Sequence, residues 1–303
     1  MKKISLIIPC YNEEAVLQTT YNEIIKHLPD HYSYQFILVD DGSQDKTLKV
    51  MKDLAAQDAR IKYLAFSRNF GKEAALLAGL EAAKKINSDA VIILDADLQD
   101  PPSLIPEMID YYEQGYQHIY TKHRSRAGES KIKTFWALSF YKVYAFLTKN
   151  KSLAKGARDF CLLDRQAIDA LLAVKDYKRF TKGLYNWIGF EKKCLEFDYV
   201  PRAKGTTKWS FKSLFRYASR GIKQFSSVYL WVTTLLMLLA FGLVVFDIVN
   251  GIIKQWDWLS LRIDGLMFFV FLALHTILKL LYDIRDQGLN RPIYLTKESN
   301  LDD

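Results

Sequence analysis

The chain has 303 residues, half of them hydrophobic and a quarter charged, with a net charge of +8. That balance excludes a disordered chain, and the length gives one large domain or two. The basic excess suits nucleic acid, anionic lipid or phosphorylated substrates, and its distribution must decide among them. Cys10, Cys161 and Cys194 lie far apart with no CxxC pair, so neither a disulfide framework nor a zinc site is expected. Buried free thiols in a reducing compartment are the plain expectation. The apolar run before Pro9 is too short for a secretory signal peptide, which leaves the large domain in the cytosol.

In chain order, Ile4–Ile8 reads as a buried strand and Glu13–Leu28 as a helix. Phe36–Val39 is a second strand, Lys46–Ala56 a second helix, Ile61–Phe66 a third strand, Lys72–Lys85 a third helix and Ala90–Leu94 a fourth strand. Continuous apolar strands alternating with helices predict an α/β fold with a mostly parallel central sheet covered on both faces. Ligands in such sheets sit at the carboxyl ends of the strands. Those ends carry Pro9-Cys10-Tyr11-Asn12-Glu13-Glu14, Asp40-Asp41-Gly42-Ser43, Ser67-Arg68-Asn69-Phe70-Gly71-Lys72 and Asp95-Ala96-Asp97. Four polar clusters on one edge point to a shared site.

Beyond Lys223 the composition changes. Phe225–Phe246 is a run of 22 residues without charge, long enough to cross a hydrocarbon core. Gly265–Tyr282 is a weaker second run, holding His275 and Lys279, and Lys279 can snorkel to the interface. Lys and Arg gather before the first run and after the second, which predicts two spans with both termini cytoplasmic. Trp256 and Trp258 then fall at the outer interface. Between Ser210 and Phe225, Phe211, Leu214, Phe215, Ala218 and Ile222 recur at helical spacing, with Lys212, Arg216, Arg220 and Lys223 largely off that stripe. This reads as an interfacial helix on anionic lipid, or more plainly as a helix packed on the soluble domain. The expected organisation is a catalytic domain over 1–209, a juxtamembrane helix over 210–224, a two-helix anchor over 225–282 and a tail over 283–303. Glu298–Asp303 reads as frayed.

Two carboxylates just beyond a strand, Asp95 and Asp97, can reach one divalent cation, and Mg²⁺ is usually held by one or two carboxylates plus phosphates and water. Alone, such a pair is as easily a turn or surface charge. Asp41 could accept hydrogen bonds from a base or ribose, or simply form an Asp-Gly turn. Leu98-Gln99-Asp100-Pro101-Pro102 sets a rigid loop beside the pair, or starts a helix.

Together these strings resemble glycosyltransferase family 2 with the GT-A fold, closest to its polyprenyl-phosphate branch. The resemblance covers the soluble domain and, more loosely, the two spans. It implies that Pro9, Tyr11, Glu13 and Asp41 line the nucleoside pocket. It implies that Asp95 and Asp97 hold a diphosphate through Mg²⁺ or Mn²⁺, with Gln99 near metal and sugar. Arg124, Arg126, Glu129 and Ser130 look like the segment that closes over donor or acceptor phosphate, or are a solvated loop. Asp159 matches the family's catalytic-region acid, while Asp164 suits a helix cap. Cys161 departs from relatives that carry Arg there, which puts the donor's identity in question. Arg202 and Lys208 look like the clamp on the lipid phosphate, Arg as a fork and Lys as a point charge. Arg291-Pro292-Ile293-Tyr294 is similar to the family's closing segment.

The implied reaction moves glucose or N-acetylglucosamine from UDP to undecaprenyl phosphate with inversion. The alternatives are a GDP-mannose-dependent mannose synthase and an inactive membrane-bound nucleotide-sugar-binding homologue. A processive synthase is disfavoured because no tryptophan follows an arginine, and a dehydrogenase because no GxG occurs. Basic residues cluster around the spans, so lipid rather than nucleic acid explains the charge. The sequence leaves homo-oligomerisation open.

Overall fold

The computed structural model describes residues 1–124, 157–176, 179–198, 222, 228–254, 259–288 and 292–301. Its centre is an eight-stranded sheet in the order β7-β5-β6-β4-β1-β2-β3-β8. The strands are β1 (Lys3–Cys10), β2 (Ser33–Asp40), β3 (Ile61–Phe66), β4 (Ala90–Ile93), β5 (His118–His123), β6 (Ala157–Asp164), β7 (Lys192–Phe197) and β8 (Thr296–Ser299). β1 pairs in parallel with β2 and β4, β2 with β3, and β5 with β7. β6 runs antiparallel between β4 and β5, and β8 runs antiparallel on β3. The expected mostly parallel α/β fold is therefore present.

The apolar runs explain the layers. Ile4, Leu6 and Ile8 point to one face of β1 and Ile7 to the other, each wholly buried. The first face is covered by α1 (Leu17–Ile25), α2 (Thr47–Gln57) and α4 (Ile105–Glu113), the last entered through a 3₁₀ turn at Pro102–Leu104. The second is covered by α3 (Lys72–Lys85), α5 (Arg165–Ala173) and α6 (Thr181–Trp187). Gly79 sets the depth of α3. A Cβ there would fall 2.3 Å from Ile7 Cγ2, so only glycine lets the helix lie this close to β1. Asp164 caps α5, its carboxylate accepting from Ala167 N–H at 2.7 Å, as its position ahead of the helix suggested.

Three expectations need correction. The first helix begins at Leu17 rather than Glu13, because the residues before it form a turn in which Glu13 N–H donates to Thr47 at the start of α2 and Glu14 N–H to Asp45 just before it. The sheet gains β5 to β8, which no strand pattern had marked. The tail is not frayed over Glu298–Leu301. It pairs with β3 and packs Ile293, Tyr294 and Leu301 against the second-face core.

Beyond β7, α7 (Val228–Lys254) and α8 (Leu259–Gly288) pack on each other. Among the described residues, Gly265–Arg285 is long and apolar enough to cross a membrane, and Val232–Leu243 is a shorter apolar stretch. Both helices expose large apolar side chains, among them Leu235, Met237, Phe241, Phe268 and Phe271. The expected juxtamembrane helix over 210–224 lies outside the described residues, Ile222 excepted.

Candidate functional site

Six strands, β7, β5, β4, β1, β2 and β3, deliver their carboxyl ends to one edge of the sheet. β6 runs the other way, so its start reaches the same edge. This places Arg158 and Asp159 beside Asp95 even though about sixty residues separate them in sequence.

The β1–β2–β3 part of the edge is laced by side chains bonded to backbone. Asn12, in the left-handed region (φ 55°), accepts from Gln44 N–H at 2.8 Å through Oδ1, and its own N–H donates to Ser43 Oγ at 2.8 Å. Glu13 N–H donates to Thr47 Oγ1 at 2.8 Å. Asp40 accepts from Ser43 N–H at 3.0 Å. Asp41 is buried and accepts from Phe70 N–H at 2.7 Å and Gly71 N–H at 3.0 Å. Gly42 (φ 67°) is obligatory: a Cβ there would lie 2.3 Å from the Arg68 carbonyl carbon. The Asp-Gly turn is thus real, and Asp41 grips the loop after β3. Burial pushes the Asp41 carboxyl up to about 6, outweighing the two amide bonds. Pro9, Tyr11 and Glu13 are partly exposed on this same edge.

The β4–β6 part is an array of charges. Lys72 Nζ, on the first turn of α3, donates to Asp95 Oδ1 at 2.6 Å and Oδ2 at 2.9 Å, and to Asp159 Oδ2 at 2.5 Å. Lys182 from α6 stands 3.5 Å from Asp159 Oδ1. α6 is held to α3 by Glu73, which accepts from Thr181 N–H at 3.0 Å and from its hydroxyl. Burial alone would raise the Asp159 carboxyl, but Lys182 and Lys72 outweigh it and hold it well below the usual range. Burial likewise opposes the charge on Lys72, and Asp159 and Asp95 overcome it. On the opposite face Arg158 Nε donates to Asp100 Oδ1 at 2.9 Å. Burial pushes wholly enclosed Asp100 up to about 6 against the pull of Arg158. Asp97 is buried and accepts from Gln99 N–H at 3.1 Å, and Leu98 between them is left-handed (φ 57°).

Lys72 thus brings Asp95 and Asp159 together, with Asp97 and Gln99 in the loop that follows Asp95 and with Pro9, Tyr11, Glu13 and Asp41 at the ends of neighbouring strands. Arg124 lies at the end of β5 on the same edge, exposed, 3.4 Å from Asp198. Arg126, Arg202 and Lys208 lie outside the described residues. Cys161 is fully buried in the core, its thiol pushed up to about 12 by burial, so it is an unreactive packing residue. Cys10 is buried too, and Cys194 half-buried.

Lys72, Lys182 and Arg158 had been given no role. Lys72 closes one of the strand-end clusters and Arg158 abuts Asp159, so both stood within reach of notice. Lys182 sits in an unremarkable helix, and only the fold brings it in.

Among the described residues no group of three or more His, Cys, Asp or Glu forms a metal cage. Asp95 offers a hard oxygen donor where Lys72 shows that a cation is drawn, and Asp97 adds a second carboxylate two residues on. That set fits Mg²⁺ or Mn²⁺ in the mode that relies on substrate phosphates for its remaining ligands.

A mostly parallel α/β sheet with such an edge is a GT-A-like fold. Glucosyl-3-phosphoglycerate synthase from Mycobacterium tuberculosis, in complex with Mn²⁺, UDP and phosphoglyceric acid, shares it at TM-score 0.53 and 17% identity. The match covers 73% of this chain and 76% of that one. The sequence profile for glycosyl transferase family 2 matches residues 5–172. CsbB of Bacillus subtilis (strain 168), which carries a provisional glycosyltransferase name, is 38% identical over 98% of this chain and 92% of its own length. The bactoprenol glucosyl transferase of Shigella phage SfV is 33% identical over 77% of this chain and 75% of its own length. The chain belongs to glycosyl transferase family 2 and falls with its polyprenyl-phosphate branch.

Proposed function

We propose that the protein transfers a hexose from a UDP-sugar, glucose or N-acetylglucosamine, to undecaprenyl phosphate at the cytoplasmic face of the cell membrane. The observation that carries this reading is the array of Lys72, Asp95, Asp159 and Lys182 set beside the laced loops of β1 to β3. The relatives named as bactoprenol glucosyl transferases support a lipid-phosphate acceptor and glucose. An inactive homologue is disfavoured by the intact array.

The acceptor phosphate oxygen attacks the anomeric carbon as the bond from that carbon to the diphosphate breaks. The nucleoside diphosphate leaves and the configuration inverts. A phosphate monoester has its second pKa near ~6, so at neutral pH the nucleophile is already deprotonated and needs no strong base. Asp159 suits this chemistry. Held ionised by Lys182 and Lys72, it has no proton to give and little tendency to take one. It steadies positive charge developing on the sugar and fixes the two lysines. Lys72 is a positioning residue that keeps Asp95 and Asp159 together despite their like charge. Pro9, Tyr11 and Glu13 line the nucleoside slot, and Asp41 shapes it through Phe70 and Gly71. A divalent metal held by Asp95 and Asp97, with Gln99 alongside, would stabilise the departing diphosphate.

Arg124, Arg126, Arg202 and Lys208 bind the acceptor phosphate in this reading. The domain division is a catalytic unit over 1–209, a juxtamembrane helix over 210–224, two spans within 225–282 and a cytoplasmic tail over 283–303. The exposed apolar faces of α7 and α8 support membrane insertion. The docking of β8 on the catalytic sheet supports a hairpin whose two ends lie on one side.

The acceptor assignment is tested by offering UDP-glucose with undecaprenyl phosphate or undecaprenol. Glycolipid is expected from the phosphate alone. Equal product from the free alcohol would overturn the assignment, because that acceptor demands a general base.

A further inference from the structure

The tail that follows α8 returns to the catalytic sheet beside the donor edge. Leu295 C=O accepts from Ser67 N–H at 3.0 Å, at the point where β3 gives way to its loop. Tyr294 stacks on Phe66 with centroids 4.8 Å apart and 21° between planes. Phe66 in turn meets Phe70 edge-on at 5.8 Å, and Arg68 lies 4.0 Å over the Phe70 ring. The Tyr294 hydroxyl bonds to Glu81 on α3. Further out, Asn300 Oδ1 accepts from Tyr63 N–H at 2.7 Å and Glu298 pairs with Lys52.

The contacts of Tyr294 and Leu295 converge on one short loop, Ser67–Gly71. Its Phe70 and Gly71 amides hold Asp41, its Arg68 backbone abuts Gly42, and it leads directly into Lys72. A displacement of the loop therefore moves both parts of the candidate site.

We propose that Pro292–Leu301 is a positioning element of the donor site. It holds Ser67–Gly71 in the shape that seats a nucleoside diphosphate and ties that shape to the end of α8. The proposal rests on the donor-edge reading given above. Seven chain steps join Gly288 to Leu295, so Leu295, the partner of Ser67, lies within about 25 Å of the end of α8. The helix that can cross a membrane thus holds the donor edge at a bounded distance. Tyr294 is the pivotal side chain, because it joins the tail to both Phe66 and α3.

The test uses the full chain in lipid nanodiscs, with hydrogen exchange of the 66–72 amides and UDP affinity by calorimetry. Tyr294→Ala is expected to speed exchange at 67–71 and weaken UDP binding, each roughly 3- to 10-fold, with β1 and β4 protected as before. Tyr294→Phe keeps the stack but loses the Glu81 bond, and is expected to fall between the parent and Tyr294→Ala on both readouts. Unchanged exchange in folded Tyr294→Ala would overturn the proposal. So would faster exchange with unchanged UDP affinity. If the parent chain binds no UDP, the donor reading fails by itself, and the same exchange comparison still decides whether the tail holds the loop.

Discussion

The two parts of the carboxyl edge are built on different chemistry. Around β1, β2 and β3, side chains bond to backbone amides, as Asp41 does to Phe70 and Gly71 and Asn12 to Gln44. Around β4 and β6 they bond to one another, as Lys72 does to Asp95 and Asp159. The first arrangement fixes shape. The second concentrates charge where it is shielded from water and therefore acts strongly. A nucleotide-sugar transferase needs both: a shaped slot for the nucleoside and prearranged charge where the glycosidic bond breaks.

The comparison is broken most severely on the charged side. Asp97→Ala is expected to reduce transfer by ~10³-fold or more while circular dichroism reports an unchanged fold. Wild-type turnover in that variant would remove Asp97 from the site. Lys72→Met comes next, at ~10²-fold in kcat, because two carboxylates then face each other without a shared cation. Lys72→Arg should recover part of that loss, and a Met variant as active as the parent would show that the bridge is only structural.

Asp159 sharpens the contrast through pH. Its carboxyl is ionised across the working range, so it cannot set the pH dependence. The rate should rise through about pH 6 as the acceptor phosphate loses its second proton. Asp159→Asn is expected to lower the rate without moving that midpoint, and a shifted midpoint would restore Asp159 as a base.

The shape-forming side gives the smallest effect, and it lies in stability. Asp41 titrates at about 6 in the fold, above its unfolded value of ~3.9. Its contribution is therefore full below about pH 4 and is lost as the pH rises through about 6. Asp100, also raised to about 6, acts with the same sign. Asp41→Asn should flatten part of the fall in thermal midpoint between about pH 4 and pH 7. An unchanged slope would mean that Asp41 is not held as its burial implies.

What could be read from sequence follows the same division. β1 to β4 were legible because each is a short apolar run buried on both faces. Their polar ends lined up on one edge because parallel strands must do so. β6 was read as a motif, Arg158 to Arg165, since nothing local announces that a later segment will insert antiparallel beside β4. β8 was illegible: Thr-Lys-Glu-Ser is polar, pairs on one side only, and owes its strand to β3. Asp95, Asp97 and Asp159 were found through their strings, whereas Lys182 reaches Asp159 only because Glu73 holds α6 on α3. Asp41 was legible as a site residue, but its partners, the amides of Phe70 and Gly71, were not.

The most direct test of the central claim is a transfer assay on the full chain with Mg²⁺ and undecaprenyl phosphate. UDP-glucose, UDP-N-acetylglucosamine and GDP-mannose are offered separately, and glycolipid is detected by mass. A lipid phosphate carrying a single sugar is expected from one of the UDP-sugars. Product from GDP-mannose alone would contradict the donor, and no product from any donor, with folded protein and competent lipid, would contradict the transferase itself.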